Sequence, residues 1–139
     1  VVRLWVSSAA PDTDFTAKLV DVYPPSRDFP HGLALNVADS IVRARARARD
    51  GGGTAAPLVA GEKYELTIEM YPTSLVVARG HRLRLDVSSS NFPRFDVNPN
   101  TGEPLNAHRR SAVADNTVHH DAAHPTHIVL PVIPAAGRR

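Results

Sequence analysis

From Arg82 to Val87 polar and apolar residues alternate, which sets Leu83, Leu85 and Val87 on one face of a strand. The same period recurs along the chain. Val2, Leu4 and Val6 alternate with Arg3 and Trp5; Phe15, Ala17 and Leu19 with Thr16, Lys18 and Val20; Tyr64, Leu66 and Ile68 with Glu65, Thr67 and Glu69. Ile128, Leu130 and Val132 form a further alternating set. Each reads as a half-buried strand. Turn clusters separate them: Pro11-Asp12, Tyr23-Pro24-Pro25-Ser26, Asp50-Gly51-Gly52-Gly53, Ala60-Gly61 and Asn98-Pro99-Asn100-Thr101-Gly102. Twelve prolines leave few uninterrupted windows for a helix. The pattern predicts an all-β chain, an antiparallel two-sheet sandwich.

The run Ile41-Val42-Arg43-Ala44-Arg45-Ala46-Arg47-Ala48-Arg49 fits two periods. Alanine and arginine both favour helices, but a helix scatters the four arginines around its cylinder. A strand gathers them on one face with the alanines opposite, so the expectation here is a strand ending in a solvated edge or an interdomain surface. Asp50 to Pro57 then reads as a loop; its glycines have neither the lysine nor the following helix of a phosphate loop.

Composition narrows the picture only a little. At 139 residues the chain forms one domain, with residues 1–134 as the sandwich and 135–139 as a frayed tail. Sixteen basic residues against fourteen acidic ones leave a net charge of +2, too small an excess to suggest nucleic-acid binding. No apolar run is long enough to suggest a membrane partner. There is no cysteine, so the redox compartment is not legible. The chain opens inside a strand pattern at Val1-Val2-Arg3-Leu4-Trp5-Val6 without a methionine, and the expectation is a domain of a longer polypeptide with chemistry upstream.

Three candidate chemistries yield to plainer readings. No Gly-x-Ser-x-Gly elbow is present, and Ser88, Ser89 and Ser90 at a strand end read as caps and backbone partners rather than as a nucleophile with Asp86. Five histidines, His108, His119, His120, His124 and His127, fall close together and suggest zinc, with Asp115 or Asp121 as a further ligand. Yet neighbouring His119 and His120 point to opposite faces of a strand, and Pro125 breaks any helix. Asp96 to Glu103 resembles the opening of a calcium loop, but its glycine is one place late and Ala107 stands where a glutamate belongs. Turn formation accounts for those residues. The expectation is no catalytic residue, no metal and no cofactor in this chain.

The segment Gly80-His81-Arg82-Leu83-Arg84-Leu85-Asp86-Val87-Ser88-Ser89-Ser90-Asn91-Phe92-Pro93-Arg94-Phe95-Asp96 carries two aromatic rings on the irregular stretch after its strand, and such rings pack against something. It resembles the C-terminal domain of the cocaine esterase and X-Pro dipeptidyl-peptidase group of serine hydrolases. So do Leu4-Trp5-Val6-Ser7-Ser8-Ala9-Ala10-Pro11-Asp12-Thr13-Asp14-Phe15 running on to Val22, Asp115-Asn116-Thr117-Val118-His119-His120-Asp121, and His124 to Ile133. The resemblance implies a galactose-binding-like jelly roll lacking its first strand, and a strand through the arginine run. It also implies that the nucleophile, acid and histidine of a serine hydrolase lie on another domain. The implied partners are α/β-hydrolase and cap domains of the same polypeptide, with a small ester or peptide as substrate. Carried over by position, Asn91 and Phe92 would wall the acyl pocket, Phe92 by apolar contact and Asn91 by an orienting hydrogen bond. Trp5 and Phe95 would serve interdomain packing. The chain departs from the family around Leu105 to Ala114, where Asn106-Ala107-His108-Arg109-Arg110 forms a polar, basic loop.

The rival reading is a free-standing carbohydrate-binding jelly roll, which would use exposed aromatic residues on a concave face. Aromatic residues make up only 6% of the chain, which weighs against it.

Overall fold

The computed structural model describes residues 1–51, 55–104 and 106–133. Gly52, Gly53, Leu105 and the expected tail at 135–139 lie outside the described residues. Among the described residues there are seven strands: β1 (Val2–Ser8), β2 (Asp14–Tyr23), β3 (Leu33–Arg43), β4 (Tyr64–Ile68), β5 (Arg82–Ser88), β6 (Asn116–His119) and β7 (His127–Ile128). They form the predicted pair of antiparallel sheets. In the first sheet β1 is central, with β4 along one edge and β6 and β7 end to end along the other. In the second sheet β2 lies between β3 and β5.

The two-residue period decides which side chains meet between the sheets. Val2, Leu4 and Val6 of β1 face inward with Leu66 and Ile68 of β4, against Phe15 and Ala17 of β2. Leu58 and Ala44 close this core, and Val42, Leu85, Val118 and Ile128 pack on its margin. One extra residue in β3, Val37, shifts its register against β2 between Leu19 and Val20.

Two expectations fail. The arginine run is not a strand: β3 stops at Arg43, and Ala44–Gly51 is a 3-10 helical segment. β2 begins at Asp14, directly opposite Arg43, so a longer β3 would have no ladder partner on that side. Ala44 instead turns inward, fully buried, and its N–H donates to the Thr13 carbonyl at 2.9 Å. Helix-favouring residues then follow their local preference. The last strand is also shorter than predicted. It ends at Ile128, one residue before the Val129 N–H donates to the Val1 carbonyl at 2.8 Å. Val132, expected on the strand, is exposed.

Candidate functional site

The outer face of the second sheet is covered by its own connections. Asp12 in the link from β1 to β2 and Asp14 at the start of β2 are buried, at 2% and 3% exposure, and a buried carboxylate must be paired. The arginines after β3 supply the charge. Arg43 Nε donates to Asp14 Oδ1 at 3.1 Å, and Arg45 Nε pairs with Asp12 Oδ2 at 3.1 Å. The hydrogen bond to Asp14, opposed by partial burial and helped by the charges of Asp14 and Asp12, raises the Arg43 pKa above its already high ordinary value. Arg45 also donates to the Gly102 carbonyl at 2.9 Å, and Arg47 lies 4.2 Å over the Tyr64 ring. Much of the arginine run is thus tied to the fold rather than free at an edge.

The stretch after β5 folds back over this network. Thr16 Oγ1 donates to the Ser88 carbonyl at 3.2 Å, and Ser88 Oγ accepts from the Ser90 N–H at 3.3 Å, so the strand-end serine serves backbone. Asp86 is held by Arg84 at 2.8 Å. Asn91 Nδ2 then donates to Asp39 Oδ2 at 3.1 Å, and Arg94 Nε meets Asp39 Oδ1 at 2.8 Å. Further on, buried Asn98 donates to Asp14 Oδ1 at 2.8 Å. Asn98 Oδ1 accepts the Asn100 N–H at 2.9 Å, and Thr101 Oγ1 donates to Glu103 Oε2 at 2.8 Å, as the turn reading of that stretch expects.

Between the loop and the network lies an open cavity of about 320 Å³. Arg43, Arg45 and Asn98 form part of its wall, with Phe92, Glu103 and His108 around it. Phe92 is 69% exposed, and the bond joining it to Pro93 is cis. Of the two residues expected to wall a pocket, Phe92 therefore borders a cavity directly, whereas the Asn91 amide is engaged by Asp39. Phe95 is half-buried; its N–H donates to the Asn91 carbonyl at 3.2 Å, and the Arg94 guanidinium lies 5.5 Å from its ring.

Trp5 occupies the opposite side of the molecule. Register with Glu65 and His119 places it on the outer face of the first sheet, half-buried, with the His124 ring edge-on at 5.0 Å. Its backbone N–H donates to Thr126 Oγ1 at 2.9 Å. His119 Nε2 lies 3.0 Å from Ser7 Oγ, and His124 Nδ1 lies 2.7 Å from Asp121 Oδ1. Trp5 and Phe92 thus belong to different surfaces.

Sequence reasoning missed Asp12, Asp14 and Asp39, the three buried carboxylates that organise the second sheet's outer face. The spacing of Asp12 and Asp14 two apart, ahead of the alternating strand that Phe15 opens, was available as a signal. Asp39 offered none, because its partners lie 52 and more residues away.

The model of the X-Pro dipeptidyl-peptidase C-terminal non-catalytic domain matches residues 1–129. Cocaine esterase of a Rhodococcus species is 48% identical over 133 residues, covering 94% of this chain and 22% of the esterase. Among solved structures, an aminopeptidase from a marine sediment Thaumarchaeota archaeon superposes with a TM-score of 0.79 at 31% identity. An α-amino acid ester hydrolase does so with a TM-score of 0.78 at 31% identity, each match covering 90% of this chain and 21% of the other. The chain spans about a fifth of the length of these relatives.

Proposed function

Because the chain belongs to the X-Pro dipeptidyl-peptidase C-terminal non-catalytic domain family, we propose that it serves a serine hydrolase as an accessory domain that packs on the α/β-hydrolase domain and walls its acyl pocket. The parent reaction in this reading is acyl transfer from a small ester or an X-Pro peptide to water, through an acyl-enzyme formed on the hydrolase domain. This chain contributes shape. Phe92 presents an apolar face to the acyl group, Asn91 holds the loop's approach, and Trp5 and Phe95 pack against neighbouring domains.

One observation carries the reading. Phe92 stands 69% exposed on a loop whose flanking side chains are pinned to a buried carboxylate. Leaving a large aromatic ring in water on an ordered loop is costly unless a partner surface covers it. In the longer polypeptide carrying this chain, Phe92→Ala should change the ratio of kcat/KM for bulky and small acyl esters by about tenfold, the scale of a pocket contact. The chain alone should hydrolyse neither. An unchanged ratio, or turnover by the isolated chain, would overturn the reading.

A further inference from the structure

We infer that Asp39 is a positioning residue for substrate selection, setting where Phe92 stands; this rests on the reading of Phe92 as an acyl-pocket wall. Asp39 lies on β3 opposite Lys18 of β2 and is only 6% exposed. Its two oxygens are divided between the residues bracketing the exposed ring. Asn91 takes Oδ2 at 3.1 Å and Arg94 takes Oδ1 at 2.8 Å. The Phe95 N–H closes the turn onto the Asn91 carbonyl at 3.2 Å, so Phe92 and Pro93 form the crown of a short arch with Asp39 at its base.

A buried carboxylate has to keep its partners, so Asp39 holds both feet of the arch on the sheet. The Phe92 ring carries no polar atom of its own and follows the arch. A small displacement of a contact residue is enough to alter selectivity without touching the reacting groups. Asp39 thereby acts through Phe92 and never meets substrate.

Arg94 is half-exposed, so Arg94→Ala opens no cavity in the core and leaves Asp39 its bond from Asn91, with the melting temperature read beside the ratio to check the fold. Asp39→Asn keeps an acceptor for Asn91 and removes the charge that Arg94 needs. In the longer polypeptide, each should move the bulky-to-small acyl ratio in the direction of Phe92→Ala by about threefold, and the double variant should go no further than the larger single one. Arg94→Lys, which keeps the charge, should recover part of the wild-type ratio. A ratio moved by Phe92→Ala but untouched by Arg94→Ala and Asp39→Asn overturns the inference and leaves the reading of Phe92 standing. A ratio that none of the three moves overturns both.

Discussion

β1 and β5 are both seven-residue strands written in the same alternating code, yet they end in opposite conditions. The inward residues of β1, Val2, Leu4 and Val6, are no more than 1% exposed. In β5, Leu83 and Val87 keep 43% and 36% of their surface in water, although their register with Asp21 and Ala17 puts them on the sheet's inner face. Pairing explains the difference. β1 has neighbours on both edges, while among the described residues β5 has only β2. Alternation therefore tells which face turns inward but not whether anything covers it.

The open side has two further marks. A cavity of about 150 Å³ lies among Phe15, Val87 and Val118, at the seam between β5 and β6. Asn116 lines it; its Nδ2 donates to Thr13 Oγ1 at 3.1 Å, but its buried Oδ1 has no partner among the described residues. Buried oxygens seldom remain unpaired in a finished structure. If the accessory-domain reading holds, a neighbouring domain covers this seam.

The contrast can be broken by mutation. Leu4→Ala should cost about 3 kcal/mol in urea unfolding of this chain, because the closed side cannot relax around the void. A loss below about 1 kcal/mol would erase the distinction between the two strands. Asp14→Ala should cost about 2 kcal/mol, since it strips Arg43 and Asn98 of a shared partner at once. Val87→Ala, the same kind of truncation on the open side, should stay within about 1 kcal/mol.

The smallest effect concerns the outer face carrying Trp5. The hydrogen bond from His124, aided by the Ala123 N–H and opposed by slight desolvation, lowers the Asp121 pKa below its ordinary 3.8. A depressed carboxylate lends its stability above that ordinary value and loses it as pH falls through the lower folded one. Asp121→Asn should therefore melt slightly below wild type at pH 6, with the gap closing below pH 3.8. A gap that widens in acid would contradict the assigned contact.

The sandwich was legible because strand period is local: residues two apart share a face whatever lies beyond. The 3-10 turn at Ala44 was not, because it depends on where β2 starts and on Asp12 and Asp14, both remote in sequence from the arginines they hold. Phe92 could be picked out as an aromatic residue on a loop. Its anchor at Asp39 could not, since a lone aspartate between Ala38 and Ser40 carries no pattern. The family was legible because its motifs run nearly the length of the chain in order.

Hydrogen exchange measured on this chain alone and on the longer polypeptide that carries it tests the accessory-domain reading most directly. The account predicts that amides of β5 and of residues 89–96 exchange more slowly in the longer polypeptide, while those of β1 are equally protected in both. Equal exchange of β5 and residues 89–96 in the two would show that no hydrolase surface covers the open side, and would contradict the reading.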